Sequence, residues 1–91
     1  MPDDTPMRLA LSNLEQGEAA VIEEVALPES DRRFLVRFGF FVGAEVKCSR
    51  RAPLGDPIVY SLDGSEVALR AKTACQIVVS RMEPRAMSEI A

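Results

Sequence analysis

The chain has 91 residues, the size of one small domain. Apolar residues make up 47% of the chain but aromatic residues only 5%, so the core must be built mainly from aliphatic side chains. The formal net charge of −3 argues against nucleic acid as the partner. No apolar run approaches the roughly 20 residues of a membrane-spanning helix, so the sequence predicts no direct membrane insertion.

The charge is unevenly distributed along the chain. Residues 1–31 carry eight acids and one arginine, whereas residues 32–91 carry ten bases and six acids. The arginines of the second part form either a solvated face or a surface for an acidic partner. These arginines include Arg32, Arg33, Arg37, Arg50 and Arg51.

The residues needed for catalysis or for a metal centre are largely missing. The chain has two cysteines, Cys48 and Cys75, and no histidine. Two thiols do not complete a four-ligand zinc site, and no Cys–His or Ser–His pair can form. We therefore expect no enzyme, no catalytic residue, no metal ligand and no cofactor-binding residue. In the absence of a signal-peptide pattern we expect a cytoplasmic protein whose thiols stay reduced.

The folded domain is expected over residues 9–82. Residues 1–8 are predicted to be a flexible N-terminus, and residues 83–91 a flexible C-terminal tail. Within the domain, a short apolar helical turn around Leu11 and Leu14 precedes the first strand.

Five short strands are predicted from hydrophobic periodicity. They span residues 18–27, 44–49, 58–62, 65–69 and 76–82. In the first strand, alternation places Ala19, Val21 and Val25 on one face, with Glu23 interrupting it. One turn of helix is expected over residues 70–74.

One convincing helix is predicted over residues 31–38, where Phe34 and Phe38 share a face. Gly39 is expected at its left-handed end, with Phe40 packing back against the helix. Gly43 marks a second structural turn before the next strand.

Asp63 and Gly64 are the strongest local signal, because this pair favours the type I′ turn of a β-hairpin. The turn fixes the register of the two strands and aligns large apolar residues on one face. The predicted pairs are Leu62 with Ser65, Tyr60 with Val67, and Ile58 with Leu69.

Residues 51–57 form a stiff connection that enters this hairpin. Pro53 and Pro57 prevent a regular strand ladder, and Gly55 lies between them where the chain can turn sharply. The segment is either a rigid structural turn or a loop presented to a partner. For the second interpretation the candidate partner-binding residues are Arg51, Leu54, Gly55, Asp56 and Pro57.

These elements predict a mainly β protein, a small and strongly bent antiparallel barrel with one short helix. A groove for proline-rich ligands would need exposed aromatic residues. The chain has no tryptophan, and its one tyrosine, Tyr60, is predicted to lie in the hairpin core.

Several segments resemble the FeoA family, ferrous iron transport protein A. The resemblance covers residues 9 to about 82. Its most specific part is Ala-Pro-Leu-Gly-Asp-Pro at 52–57 followed by Ala-Leu-Arg at 68–70, supported by Leu-Ser-Asn-Leu at 11–14, the helix end at 32–40 and Gly-Ala-Glu-Val at 43–46. The family often has proline where this chain has Val42. Because the chain has no histidine, the resemblance does not carry over a metal site that some members use.

The resemblance implies an SH3-like barrel and a small cytoplasmic accessory protein of bacterial ferrous iron uptake. The implied partner is FeoB, a membrane transporter with a cytoplasmic GTPase domain. Our hypothesis is regulation of FeoB through protein–protein contacts, with transient association with iron and homo-oligomerisation left open. The alternative is a metal-responsive or self-associating domain like those of iron-dependent repressors.

Overall fold

The computed structural model describes residues 7–81. Most of the predicted N-terminus and the whole predicted C-terminal tail therefore lie outside the described residues. Six strands and three short helical segments follow in chain order. They are β1 (Arg8–Ala10), a 3₁₀ turn (Leu11–Asn13), β2 (Ala19–Val25), α1 (Glu29–Val36), β3 (Glu45–Arg51), β4 (Ile58–Leu62), β5 (Ser65–Leu69), α2 (Ala71–Ala74) and β6 (Ile77–Arg81).

The strands form one antiparallel sheet in the order β1-β6-β2-β3-β4-β5, so the mainly β prediction is confirmed. The predicted number of five strands was too low by one, because β1 was missed. Its three residues pair with β6, with Leu9 opposite Val79. So short a strand has no periodicity of its own and is defined by its distant partner.

The core lies inside the bent sheet and contains sixteen buried apolar residues. Tyr60 and Phe40 are its largest fully buried side chains, and their rings meet edge to face at 6.3 Å. Aliphatic side chains fill the remainder, as the composition predicts. The predicted turn residues around this core, Gly39, Gly43 and Gly64, all have positive φ angles.

The predicted face of β2 is buried at Val25 but not at Ala19 and Val21. Ala20 and Ile22 face the core, while Ala19 and Val21 are half-exposed. A bulge between Ile22 and Glu24 shifts the register against β6. Regular alternation fails there, because a bulge inserts an extra residue and turns the following side chains to the other face.

The helix α1 begins two residues earlier than predicted and buries Leu35. Gly39, with φ of +104°, donates its N–H to the Val36 carbonyl at 3.0 Å. The Phe40 N–H reaches the Leu35 carbonyl at 3.1 Å, which completes a Schellman motif. The expected return of Phe40 into the core is confirmed. By contrast, the rings of Phe34 and Phe38 lie tilted against each other, 5.0 Å apart between centroids, and remain exposed to solvent.

The hairpin prediction is confirmed in its turn and in its register. Asp63 and Gly64 have φ angles of 47° and 88°, as a type I′ turn requires. The observed pairs run from Leu62 with Ser65 to Ile58 with Leu69.

Candidate functional site

The loop between β3 and β4 is closed by its own backbone. The Ala52 N–H donates to the Pro57 carbonyl at 3.1 Å, and the Gly55 N–H donates to the Ala52 carbonyl at 2.7 Å. Gly55 adopts a φ of +86°, a conformation that glycine tolerates without strain. These bonds and the two prolines restrict the conformations open to the loop.

Asp56 links this loop to the start of α2. Its Oδ1 accepts a hydrogen bond from the Ala71 main-chain N–H at 2.9 Å. Ala71 is the first residue of α2, whose leading N–H groups have no partner within the helix. The carboxylate therefore caps α2 from a distant position in the sequence and fixes the far side of the loop.

Leu54 stands at the outer end of the loop with 96% of its surface exposed. Pro53, Asp56 and Pro57 are also exposed, and Gly55 is half-buried. The four predicted residues 54–57 therefore lie together on one presented loop. An isolated exposed leucine is common on protein surfaces, but this one is held by a backbone with little freedom to retract it.

Arg51, the fifth predicted residue, has a role inside the domain. Its Nη2 donates to the main-chain carbonyls of Ser12 and Leu14, the latter at 2.8 Å. The side chain is half-buried and links the start of the loop to the 3₁₀ turn. It is therefore a positioning residue for the loop. No local pattern in the sequence predicts these bonds, because they join residues almost forty positions apart.

The ionisable groups beneath the loop belong to the core. Burial raises the pKa of the Cys48 thiol, and the nearby Arg51 charge opposes that shift in part. Burial likewise raises the pKa of Tyr60, whose hydroxyl donates to the Leu11 carbonyl at 3.1 Å. A thiol with a raised pKa is a poor nucleophile, so this part of the domain favours packing over reactivity.

A family model described as the FeoA domain matches residues 9–81 of this chain. The chain belongs to the FeoA family. A curated relative, the Fe(2+) transport protein A/Fe(2+) transporter FeoB fusion protein of Porphyromonas gingivalis, is 32% identical over 80 residues. The match covers 88% of this chain but 10% of the fusion protein, so the chain spans about a tenth of that relative's length.

Solved FeoA structures share the fold. The FeoA protein of Chlorobium tepidum is 36% identical with a TM-score of 0.78, over 82% of this chain and 71% of the other. FeoA of Stenotrophomonas maltophilia, described as a prokaryotic SH3 domain protein, is 32% identical with a TM-score of 0.68, over 85% and 96%. A manganese-dependent transcriptional repressor at 18% identity and a TM-score of 0.75, over 86% of this chain and 44% of the repressor, shares the fold alone.

This FeoA domain has a second exposed surface, which the sequence analysis did not single out as a site. Phe34 of α1 contacts Phe38, two residues beyond the helix, and Phe34 lines a shallow depression together with Arg33 and Arg37. Phe41 and Val42 are exposed next to the helix as well. The signal was present in the sequence: apolar residues at 34, 35, 36 and 38 point in too many directions for a short helix to bury them all.

Residues 7–81 hold both cysteines of the chain and no histidine, a residue that often serves as a metal ligand. In that range, no three His, Cys, Asp or Glu side chains are grouped so that they could hold a metal ion. Cys48 is buried and Cys75 is exposed. The helices described there are also too short or too polar to cross a membrane.

Proposed function

We propose that this FeoA-family chain is a cytoplasmic accessory protein of ferrous iron uptake that binds the cytoplasmic part of FeoB. The observation that carries the proposal is the fully exposed Leu54 on a loop stiffened by internal bonds. An apolar side chain fixed in place loses little entropy when a partner covers it. The Porphyromonas gingivalis relative, which bears both FeoA and FeoB names in one chain, supports the choice of partner.

The contact would act on the transporter by biasing its nucleotide cycle or its gating. A partner that binds one conformation of FeoB better than another shifts the balance between them. We propose that the domain does this as a binding module, without a reaction of its own and without a resident cofactor. Iron is then the cargo of the transporter, and any association of iron with this domain is transient.

A titration of the cytoplasmic part of the cognate FeoB with this chain tests the proposal. We expect saturable binding, with a change in the GTP hydrolysis rate as the functional readout. The proposal fails if no binding is detected and if deletion of the gene leaves ferrous iron uptake unchanged.

Self-association is a second candidate function, and the exposed α1 surface favours it. Four large apolar side chains are exposed to solvent there: Phe34, Phe38, Phe41 and Val42. A metal-responsive domain would change its oligomeric state with ferrous iron. Analytical ultracentrifugation with and without ferrous iron tests this candidate, and a monomer under both conditions would exclude it.

A further inference from the structure

The outer edge of β5 is the longer of the two sheet edges. The sheet ends at β1 on one side and at β5 on the other. β1 has three residues, whereas β5 has five. An exposed strand edge presents a row of main-chain donors and acceptors that another extended chain can pair with.

The hairpin register identifies which groups face outward. A two-residue turn makes its flanking pair, Leu62 and Ser65, a hydrogen-bonded pair. Alternate residues of β5 therefore bond to β4, and the N–H and C=O groups of Glu66 and Ala68 point away from the sheet. Within residues 7–81, no main-chain hydrogen bond uses these four groups.

The side chains around this edge do little to block a new strand. Glu66 and Ala68 are exposed, and Ala68 is small. The Glu66 carboxylate is drawn back over the sheet, where it accepts from the Ser49 hydroxyl at 2.9 Å and lies 3.7 Å from Arg50. Residues 65–69 contain no lysine, proline or bulge, and Glu66 is their one charged residue.

The β5 edge is continuous with the Leu54 loop. Leu69 at the end of β5 pairs with Ile58, the residue that follows the loop. Two residues beyond Leu69, the Ala71 N–H is bonded to Asp56 of the same loop. A chain laid along β5 would therefore arrive beside the loop that we propose as the FeoB contact.

We propose that an extended segment of FeoB adds to β5 as a seventh, antiparallel strand, and this inference rests on the function proposed above. The segment bonds to the main chain of Glu66 and Ala68, and its N-terminal end continues towards Leu54. A second copy of this chain fits less well. In an antiparallel pair of two β5 strands, the Asp63–Gly64 turn of the second copy would lie opposite Arg70 of the first. The second copy's chain would turn back there, before it reached Leu54.

The first test compares Ala68→Pro with Ala68→Ser in binding to the cytoplasmic part of the cognate FeoB. The Ala68 N–H bonds to no other group in residues 7–81, so proline there removes an edge donor while sparing the β4 ladder. Serine changes the same side chain and keeps the donor. We expect Ala68→Pro to weaken binding by about tenfold or more, and Ala68→Ser to bind like the wild type. Equal binding by both variants would overturn strand addition and leave the FeoB contact standing, whereas no binding by the wild type would reject the proposed function itself.

Amide hydrogen exchange on the wild-type chain gives a second test that does not depend on the folding of the proline variant. We expect fast exchange at Glu66 and Ala68 in the free chain and slowing by about tenfold or more with FeoB. The amides of Ser65 and Val67 serve as internal controls, because β4 already protects them. Slow exchange at Glu66 and Ala68 in the free chain, whether from a second copy or from another part of the chain, would overturn the inference. Unchanged fast exchange in a formed FeoB complex would overturn it as well.

Discussion

Asp56 accepts the main-chain N–H of Ala71 at 2.9 Å, a bond that joins the β3–β4 loop to the start of α2. The two residues are fifteen positions apart, and between them lies the whole β-hairpin. One carboxylate thus closes the hairpin at its open end while the Asp63–Gly64 turn closes the other. The same hydrogen bond therefore holds the hairpin and the β3–β4 loop, which we propose as the contact with FeoB.

Replacing Asp56 by alanine should therefore weaken both stability and partner binding. Loss of a capping oxygen costs about 1 kcal/mol. Asp56→Asn is the matched control, since its amide oxygen can still accept the Ala71 N–H. Urea unfolding monitored by circular dichroism measures the difference, and equal midpoints for the alanine and asparagine variants would contradict the capping role.

Leu54→Ser should leave the free energy of unfolding within about 0.5 kcal/mol of the wild type, because the side chain is exposed. Binding to the cytoplasmic part of FeoB should weaken by about tenfold or more if Leu54 is the apolar anchor of the contact. Val42→Ser is the control, since Val42 is also apolar and 65% exposed but lies next to α1. If both variants lost the same affinity for FeoB, Leu54 would not be the anchor of the contact.

Arg51→Met should destabilise the domain by about 1–3 kcal/mol. The change retains an apolar stem but removes the donors to the Ser12 and Leu14 carbonyls. Arg70→Met is the comparison, because Arg70 is an exposed arginine and its loss should cost less than about 0.5 kcal/mol. If the two arginine variants unfold at the same urea concentration, Arg51 does not hold the loop in place.

Stability should decline above about pH 10, where an unburied tyrosine ionises. Burial raises the pKa of Tyr60, so the folded chain retains a proton that the unfolded chain releases. The contribution of Tyr60 to the free energy of unfolding is fully present below the ordinary pKa of tyrosine. It is lost as the pH rises towards the raised pKa of Tyr60 in the folded chain. Cys48 acts in the same direction from its lower ordinary pKa of 9.0.

Two measurements isolate the tyrosine. Tyr60 is the only tyrosine in the chain, so the ultraviolet absorbance of the phenolate follows its ionisation directly. Tyr60→Phe should lose this part of the pH dependence and, at neutral pH, about 1 kcal/mol, because it removes one hydrogen bond to the Leu11 carbonyl, which still accepts the Leu14 N–H. A phenolate that forms at the ordinary pKa in the folded chain would contradict the burial argument.

Gly64→Val should destabilise the domain by about 1–3 kcal/mol through the backbone alone. Beyond the neighbouring residues, a Cβ on Gly64 would meet no described atom within 4 Å, so the loss is expected to come from the positive φ angle. Gly64→Asn is the control, because asparagine tolerates positive φ better than a β-branched residue. Thermal unfolding that ranks valine and asparagine equally would argue against strain at this φ of 88°.

The sequence by itself determined the features that depend on neighbours in the chain. Asp63 and Gly64 define the hairpin and its register, since few residue pairs adopt a type I′ turn. Gly39 defines the end of α1 for the same kind of reason. The prolines and Gly55 define a stiff loop, and in the structure that loop stands exposed, with Leu54 at its end.

Tertiary structure alone decided the features that depend on distant partners. β1 exists as a strand because β6 lies beside it. The bulge in β2 likewise appears in the pairing of β2 with β6. Arg51 serves the loop from within because the fold brings the Ser12 and Leu14 carbonyls to it. Local propensity cannot encode such contacts, because each forms only once the strands have paired into the sheet.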